Sequence, residues 1–216
     1  YGTVVNLAIA NDWMHKNPFA GIRFQEKEVI REVLTKEEIE RMMCKEFALP
    51  RLEYVRDVFI FCVFTGMAYV DVNNLRQEHI VRDNNDDLWI RKARQKTNNM
   101  CNIPLLKIPQ LLMEKYKNHP LCTKTGALLP VPSNQKMNSY LKEIADFCGI
   151  QKNLTTHTAR HTFATVVALA NGVSMENIAK MLGHSDIRMT QRYAKVMDSS
   201  IMRDMENVDK LFKSSE

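Results

Sequence analysis

The chain has 216 residues, 45% apolar and 25% charged, which suits a folded globular domain and excludes a disordered or fibrous chain. Its longest apolar run, VFIFCVF (Val58 to Phe64), is far too short to span a bilayer, no secretory signal is visible, and five scattered cysteines without a CxxC pair predict reduced thiols in a cytoplasmic protein with no membrane partner and no zinc site. Net charge is +5, but residues 198–216 hold five acids and three bases, which leaves +7 on residues 1–197 and suits a polyanionic partner for the body.

In chain order, YGTVVNLAIANDWMH has helical spacing through Val5, Ala8, Ile9 and Trp13, and Asn17-Pro18 predicts its stop. A polar stretch with turn residues follows and reads as a linker over 24–32, so residues 1–23 are expected to be the end of a domain whose larger part lies elsewhere. A new unit opens at LTKEEIERMM, where Thr35 and Glu38 have capping-box spacing. Residues 52–65 predict a deeply buried helix capped by Gly66. Two extended runs flank Asn98-Asn99 and predict a hairpin. LLPVP (Leu128 to Pro132) predicts a short strand. Helical periodicity marks segments near 107–117, 134–148, 156–171, 174–182, 187–195 and 200–213. The expected fold is mainly α with a small antiparallel β-sheet, an α+β domain over 33–197 followed by a tail helix over 198–216.

Three clusters carry chemistry. In TTHTARHTFAT, Thr155 or Thr156 can cap a helix that places His157, Arg160 and His161 at i, i+3 and i+4. A helix start favours anions, so gathering cations there means either a solvated end or a bound anion. A guanidinium fork matches two phosphate oxygens, and an imidazole exchanges protons near neutral pH. In LGHSDIRMTQRYAKV, His184 follows a Gly-capped helix, Asp186 can cap the next one, and Tyr193 stands two turns along it. An unperturbed phenol has a pKa of about 10, so a nucleophilic tyrosine needs nearby positive charge or a base. Arg91, Lys92, Arg94 and Lys96 crowd the hairpin. In a regular strand Arg94 and Lys96 share a face. Each cluster alone also fits an ordinary role: a solvated helix end, a packed tyrosine, a lysine-guarded edge strand.

Taken together, in this order and spacing, HTARHTFAT, LGHSDIRMTQRYAKV and the hairpin lysine in QKT resemble the tyrosine recombinase (phage integrase) family over about residues 33–197. Residues 1–23 resemble the end of that family's core-binding domain. The resemblance implies the tyrosine recombinase catalytic-domain fold and a site-specific integrase that cuts and rejoins DNA without metal or nucleotide cofactor. Tyr193 would attack a phosphodiester to give a 3′-phosphotyrosyl bond and a free 5′ hydroxyl. Arg160 would clamp the phosphate, His157 would help near the tyrosine as a proton acceptor or hydrogen-bond donor, His184 would donate to a nonbridging oxygen, and Lys96 would protonate the leaving oxygen. His161 fits the pattern as a helix support. The first arginine of a TGxRxxE-type box is missing: TGMAYVD has Ala68 there, with Asp71 at the supporting acidic position. The departure resembles the conjugative-transposon and mobile-element branch. Arg94 is the expected replacement cation and Arg76 a weaker one.

The same resemblance implies double-stranded DNA as partner, contacted by Arg91, Lys92, Arg94 and Lys96, with a tetrameric synapse on DNA and a monomeric free fragment. Ile201, Met205, Val208 and Phe212 form one apolar stripe on the tail, which packs either on its own domain or on a neighbouring protomer. Two alternatives stay open: a catalytically disabled DNA-binding relative, and a type IB topoisomerase-like relaxing enzyme.

Overall fold

A computed structural model describes residues 2–22 and 32–194. Two compact units divide the chain, residues 1–30 and 31–216. In the first, helix α1 spans Gly2–Ala10. It ends before the expected His15, because Asp12 turns left-handed (φ 57°) and the Asn11, Asp12 and Trp13 amides close back on Leu7, Ile9 and Ala8 carbonyls.

In the second unit, α2 (Lys36–Cys44) starts at Thr35, whose side chain and that of Glu38 complete the expected capping box. Helix α3 (Pro50–Thr65) is buried on nearly all sides, and Gly66 ends it at φ 67°. Its Phe59, Phe61, Val58 and Val63 have no exposed surface and form the centre of the core. A short helix α4 (Tyr69–Asn73) follows at once. Strands β1 (Ile80–Arg82), β2 (Leu88–Ala93) and β3 (Met100–Pro104) make an antiparallel sheet in that order. Pairing of Ile90 with Ile103 and Lys92 with Cys101 turns those four side chains to the same face, the one whose Ile90 and Ile103 join the core.

Helices α5 (Lys107–Tyr116) and α7 (Asn134–Phe147) pack on α3, with the short α6 (Pro120–Thr125) between them in the chain. The expected strand over Leu128 to Pro132 is not formed: only Ala127 makes an isolated bridge, with Arg76, and the prolines at 130 and 132 have no N–H for a ladder. The expected single helix over 156–171 changes pitch instead. Helix α8 (Thr156–Thr162) runs into a π-helical stretch, Phe163–Ala168, and one 3₁₀ turn, Leu169–Asn171. Helices α9 (Met175–Leu182) and α10 (Arg188–Ala194) follow. The predicted tail helix lies outside the described residues. None of the described helices is long and apolar enough to cross a membrane.

Candidate active site

The site gathers where α3 and α9 end, beside α8, α10 and the β2–β3 loop. Thr155 caps α8, and the helix then aims Arg160 inward, only 7% exposed. Its Nη1 donates to the Gly66 carbonyl and its Nη2 to the Leu182 carbonyl, both at 2.6 Å. Both acceptors are at C-terminal helix ends, where free carbonyls carry partial negative charge. Burial, and then the neighbouring Arg94, depress the pKa of the guanidinium. Arginine nevertheless stays charged in proteins.

His184 leaves α9 directly after Gly183, which turns at φ 61°. Its Nε2 stands 3.3 Å from Arg160 Nη2, and its Nδ1 2.9 Å from Thr190 Oγ1. Burial, then Arg160 and Arg94, push its pKa down to about 4, so the ring is neutral at physiological pH. Tyr193, 8% exposed, packs with Phe163, Ala164, Ile178 and Leu182. Its ring stacks on His184 at 6.3 Å with planes 7° apart, and His161 approaches the same ring at 5.2 Å, tilted by 54°. As expected, Asp186 serves the start of α10, accepting the Arg188 amide at 2.8 Å.

The hairpin differs from expectation in one respect. Arg94 and Lys96 do not share a strand face, because β2 stops at Ala93. Asp71 Oδ1 accepts the Gln95 amide at 3.0 Å and draws the chain out of the ladder. The loop closes through Arg94 and Asn99 backbone groups, with Asn98 left-handed at φ 55°. Arg94 is thereby folded into the site. Its side chain is 11% exposed, and its Nε lies 3.8 Å from Asp71 Oδ2 with no hydrogen-bond partner among the described residues. A β-carbon on Gly183 would sit 2.6 Å from Arg94 Cδ and 2.7 Å from Cys101 Sγ, so only glycine leaves room for the arginine. Asn99 Nδ2 donates to the Gly183 carbonyl at 3.2 Å and ties the loop to the end of α9.

Other expected residues are placed differently. Lys96 is exposed near the loop tip, and among the described residues it makes no hydrogen bond or ion pair. His157 is exposed one turn before Arg160. Arg91 is exposed, whereas Lys92 is half-buried on the sheet's inner face, with Nζ 3.1 Å from His79 Nε2. Arg76 donates to the Asn73 and Leu75 carbonyls. Ala68 is the N-cap of α4, and no cation stands at its position. Sequence reasoning missed Thr190, 1% exposed, and the two helix-end carbonyls that hold Arg160. The glycine caps at 66 and 183 were the available signal for the carbonyls. Among the described residues no group of three or more His, Cys, Asp or Glu could hold a metal ion.

The arrangement is thus the buried Arg160, the largely covered Arg94 and a neutral imidazole around a packed phenol, with Asp71 the nearby carboxylate: cations and a hydroxyl placed as anion binding and nucleophilic chemistry would need. The profile of the phage integrase family matches residues 32–200. The chain belongs to the phage integrase family. Tyrosine recombinase XerD of Staphylococcus saprophyticus is 40% identical over 95 residues, which are 44% of this chain and 31% of that protein. The chain therefore spans about a third of that relative's length. Among solved structures, a lambda integrase dimer bound to a COC′ core site matches with a TM-score of 0.68 at 18% identity, over 89% of this chain and 70% of that one. The Tn1549 transposon integrase in complex with a circular intermediate DNA matches with a TM-score of 0.65 at 18% identity, over 94% of this chain and 74% of that one. The fold of this integrase-family chain is therefore the tyrosine recombinase catalytic-domain fold.

Proposed function

We propose that the chain carries the catalytic domain of a cytoplasmic site-specific DNA recombinase of the mobile-element integrase kind. The observation that carries the reading is the packing of Tyr193 against His184, which itself touches Arg160. In the proposed reaction the Tyr193 oxygen bonds to a backbone phosphorus and the bond from phosphorus to the 5′ oxygen breaks. The phenolic proton leaves by way of His157, and the 5′ oxygen takes a proton from Lys96. A 5′ hydroxyl of a partner strand then reverses the step. Arg160 and Arg94 stabilise the charge that gathers on the nonbridging oxygens. Arg94 supplies the cation that Ala68 does not, while Asp71 sets the loop that holds it.

Lys96 reaches the leaving oxygen only if the loop tip moves onto DNA, which fits a group kept in solvent in the free chain. Residues 1–23 are assigned to a core-binding domain, 24–32 to a linker, 33–197 to the catalytic domain and 198–216 to a tail helix. The partner is double-stranded DNA, contacted by Arg91 and the hairpin loop, and the working assembly is a tetramer on paired sites. The lambda integrase dimer on its core site supports a DNA-bound oligomer.

The test uses a radiolabelled pool of nicked suicide duplexes of random sequence. Wild type forms a denaturant-stable protein–DNA adduct and Tyr193→Phe forms none. Absence of adduct with both proteins would remove the enzyme reading in favour of a DNA-binding relative.

A further inference from the structure

A guanidinium only donates hydrogen bonds. Arg160 Nη2 stands 3.3 Å from His184 Nε2, so that nitrogen presents its lone pair and the neutral ring carries its proton on Nδ1. Nδ1 is 2.9 Å from Thr190 Oγ1, and the hydroxyl oxygen therefore accepts. In this state His184 cannot donate through Nε2, the nitrogen that faces the place where a phosphate belongs in the proposed reaction. Its Nε2 instead fills the acceptor position that a phosphate oxygen would take on Arg160.

Three changes could turn Nε2 into a donor. Rotation of the ring would break the bond to Thr190 and the near-parallel stack on Tyr193. Uptake of a proton would put an imidazolium beside Arg160 and Arg94, which together with burial already oppose it. Exchange of the proton between the two ring nitrogens needs neither, provided the partner of Nδ1 can reverse its role. A hydroxyl can do so, because it both donates and accepts.

We propose that Thr190 is a positioning residue that reverses its hydrogen bond to His184 when a phosphate enters, converting the neutral imidazole from acceptor of Arg160 to donor to the phosphate. A phosphate oxygen replaces Nε2 as the acceptor of Arg160. Nε2 takes one proton from solvent at the exposed side of the half-buried ring and the proton on Nδ1 is released to solvent, so the ring's charge does not change. The Thr190 hydroxyl turns and donates to Nδ1. Thr190 lies three residues before Tyr193 on α10, which links the switch and the nucleophile through one turn of helix. Its burial keeps water from substituting for the hydroxyl. The proposal rests on the recombinase reading for its loaded state and on the free chain for its resting state.

The experiment has two arms. Nitrogen-15 spectra of the histidine rings in the free chain, with His184→Gln to assign the signals, read the resting tautomer without DNA; the proton is expected on Nδ1. Adduct rates on the suicide-duplex pool then compare Thr190→Ser, which keeps the hydroxyl, with Thr190→Val, which keeps the volume. The serine variant is expected within about threefold of wild type and the valine variant lower by on the order of 10- to 100-fold, by analogy with loss of the outer hydrogen-bond partner of a metal-bound imidazole. Thermal melts confirm that both are folded. A resting proton on Nε2, a valine variant as fast as wild type, or a serine variant as slow as valine would each overturn the proposal. No adduct from wild type sinks the recombinase reading instead, and the spectrum alone then decides the direction of the bond.

Discussion

Two arginines are buried to nearly the same depth, Arg56 at 8% exposed and Arg160 at 7%, and they are answered in opposite ways. Arg56 Nε donates to Asp57, and its Nη1 closes the end of α2 on the Met42, Met43 and Lys45 carbonyls. Asp57 in turn accepts from Lys115 and from the Tyr116 hydroxyl, both at 2.7 Å, and Lys115 also meets Glu53. Cations and carboxylates balance there. Around Arg160 they do not. Among the described residues, Arg160 and Arg94 face the single carboxylate of Asp71, and one arginine nitrogen has no hydrogen-bond partner. Burying charge without a counter-charge is costly, so the second cluster as described favours an added anion, as the proposed function requires.

Substitution separates the two. Arg94→Met is expected to lower adduct formation by on the order of 100- to 1,000-fold, as does loss of one transition-state donor, nearly as much as Arg160→Ala. The same variant should leave the urea midpoint unchanged or raised, since it removes an unbalanced buried charge. Asp57→Ala should do the reverse. Breaking a buried pair costs about 3–5 kcal/mol of unfolding free energy, while the adduct rate per folded molecule stays at the wild-type value. Gly183→Ala falls between. A left-handed residue with a β-carbon costs about 1–2 kcal/mol, and the displaced Arg94 lowers the adduct rate as well.

A further expected effect is on pH dependence. The pKa of His184 falls from its ordinary 6.5 to about 4 on folding. As pH drops through that window the unfolded chain takes up a proton that the folded ring refuses, so stability falls. His184→Asn should flatten the curve between those limits in urea titrations at a series of pH values. A curve equally steep in the variant would show that the ring is not held neutral by the fold.

Much of this was legible in the sequence. The Thr35 box, the buried α3 and the glycines at 66 and 183 are local signals, and each holds. Arg160, His184 and Tyr193, singled out by their spacing, do come together, because helix starts and a glycine cap turn them toward one another. What was not legible depends on contacts far apart in the chain. The Asp71 carboxylate ends β2 two residues before Gln95, and no pattern near Ala93 announces it. Strand β1 has three residues and exists only as a partner of β2. Helices as short as α4 and α6 carry too few residues to show a period. Thr190 reads as one more polar residue of a surface helix until His184 is seen to turn toward it.

The fastening of Arg160 to the ends of α3 and α9 has an evolutionary corollary. The guanidinium works as a bolt between two helix ends, apart from the phosphate contact proposed for it. A descendant that gave up cutting DNA would lose the phenol freely, yet could discard the bolt only by rebuilding the joint. Among degenerate copies of such a gene, the arginine should therefore outlast the tyrosine, and a surviving arginine is no diagnosis of a living enzyme.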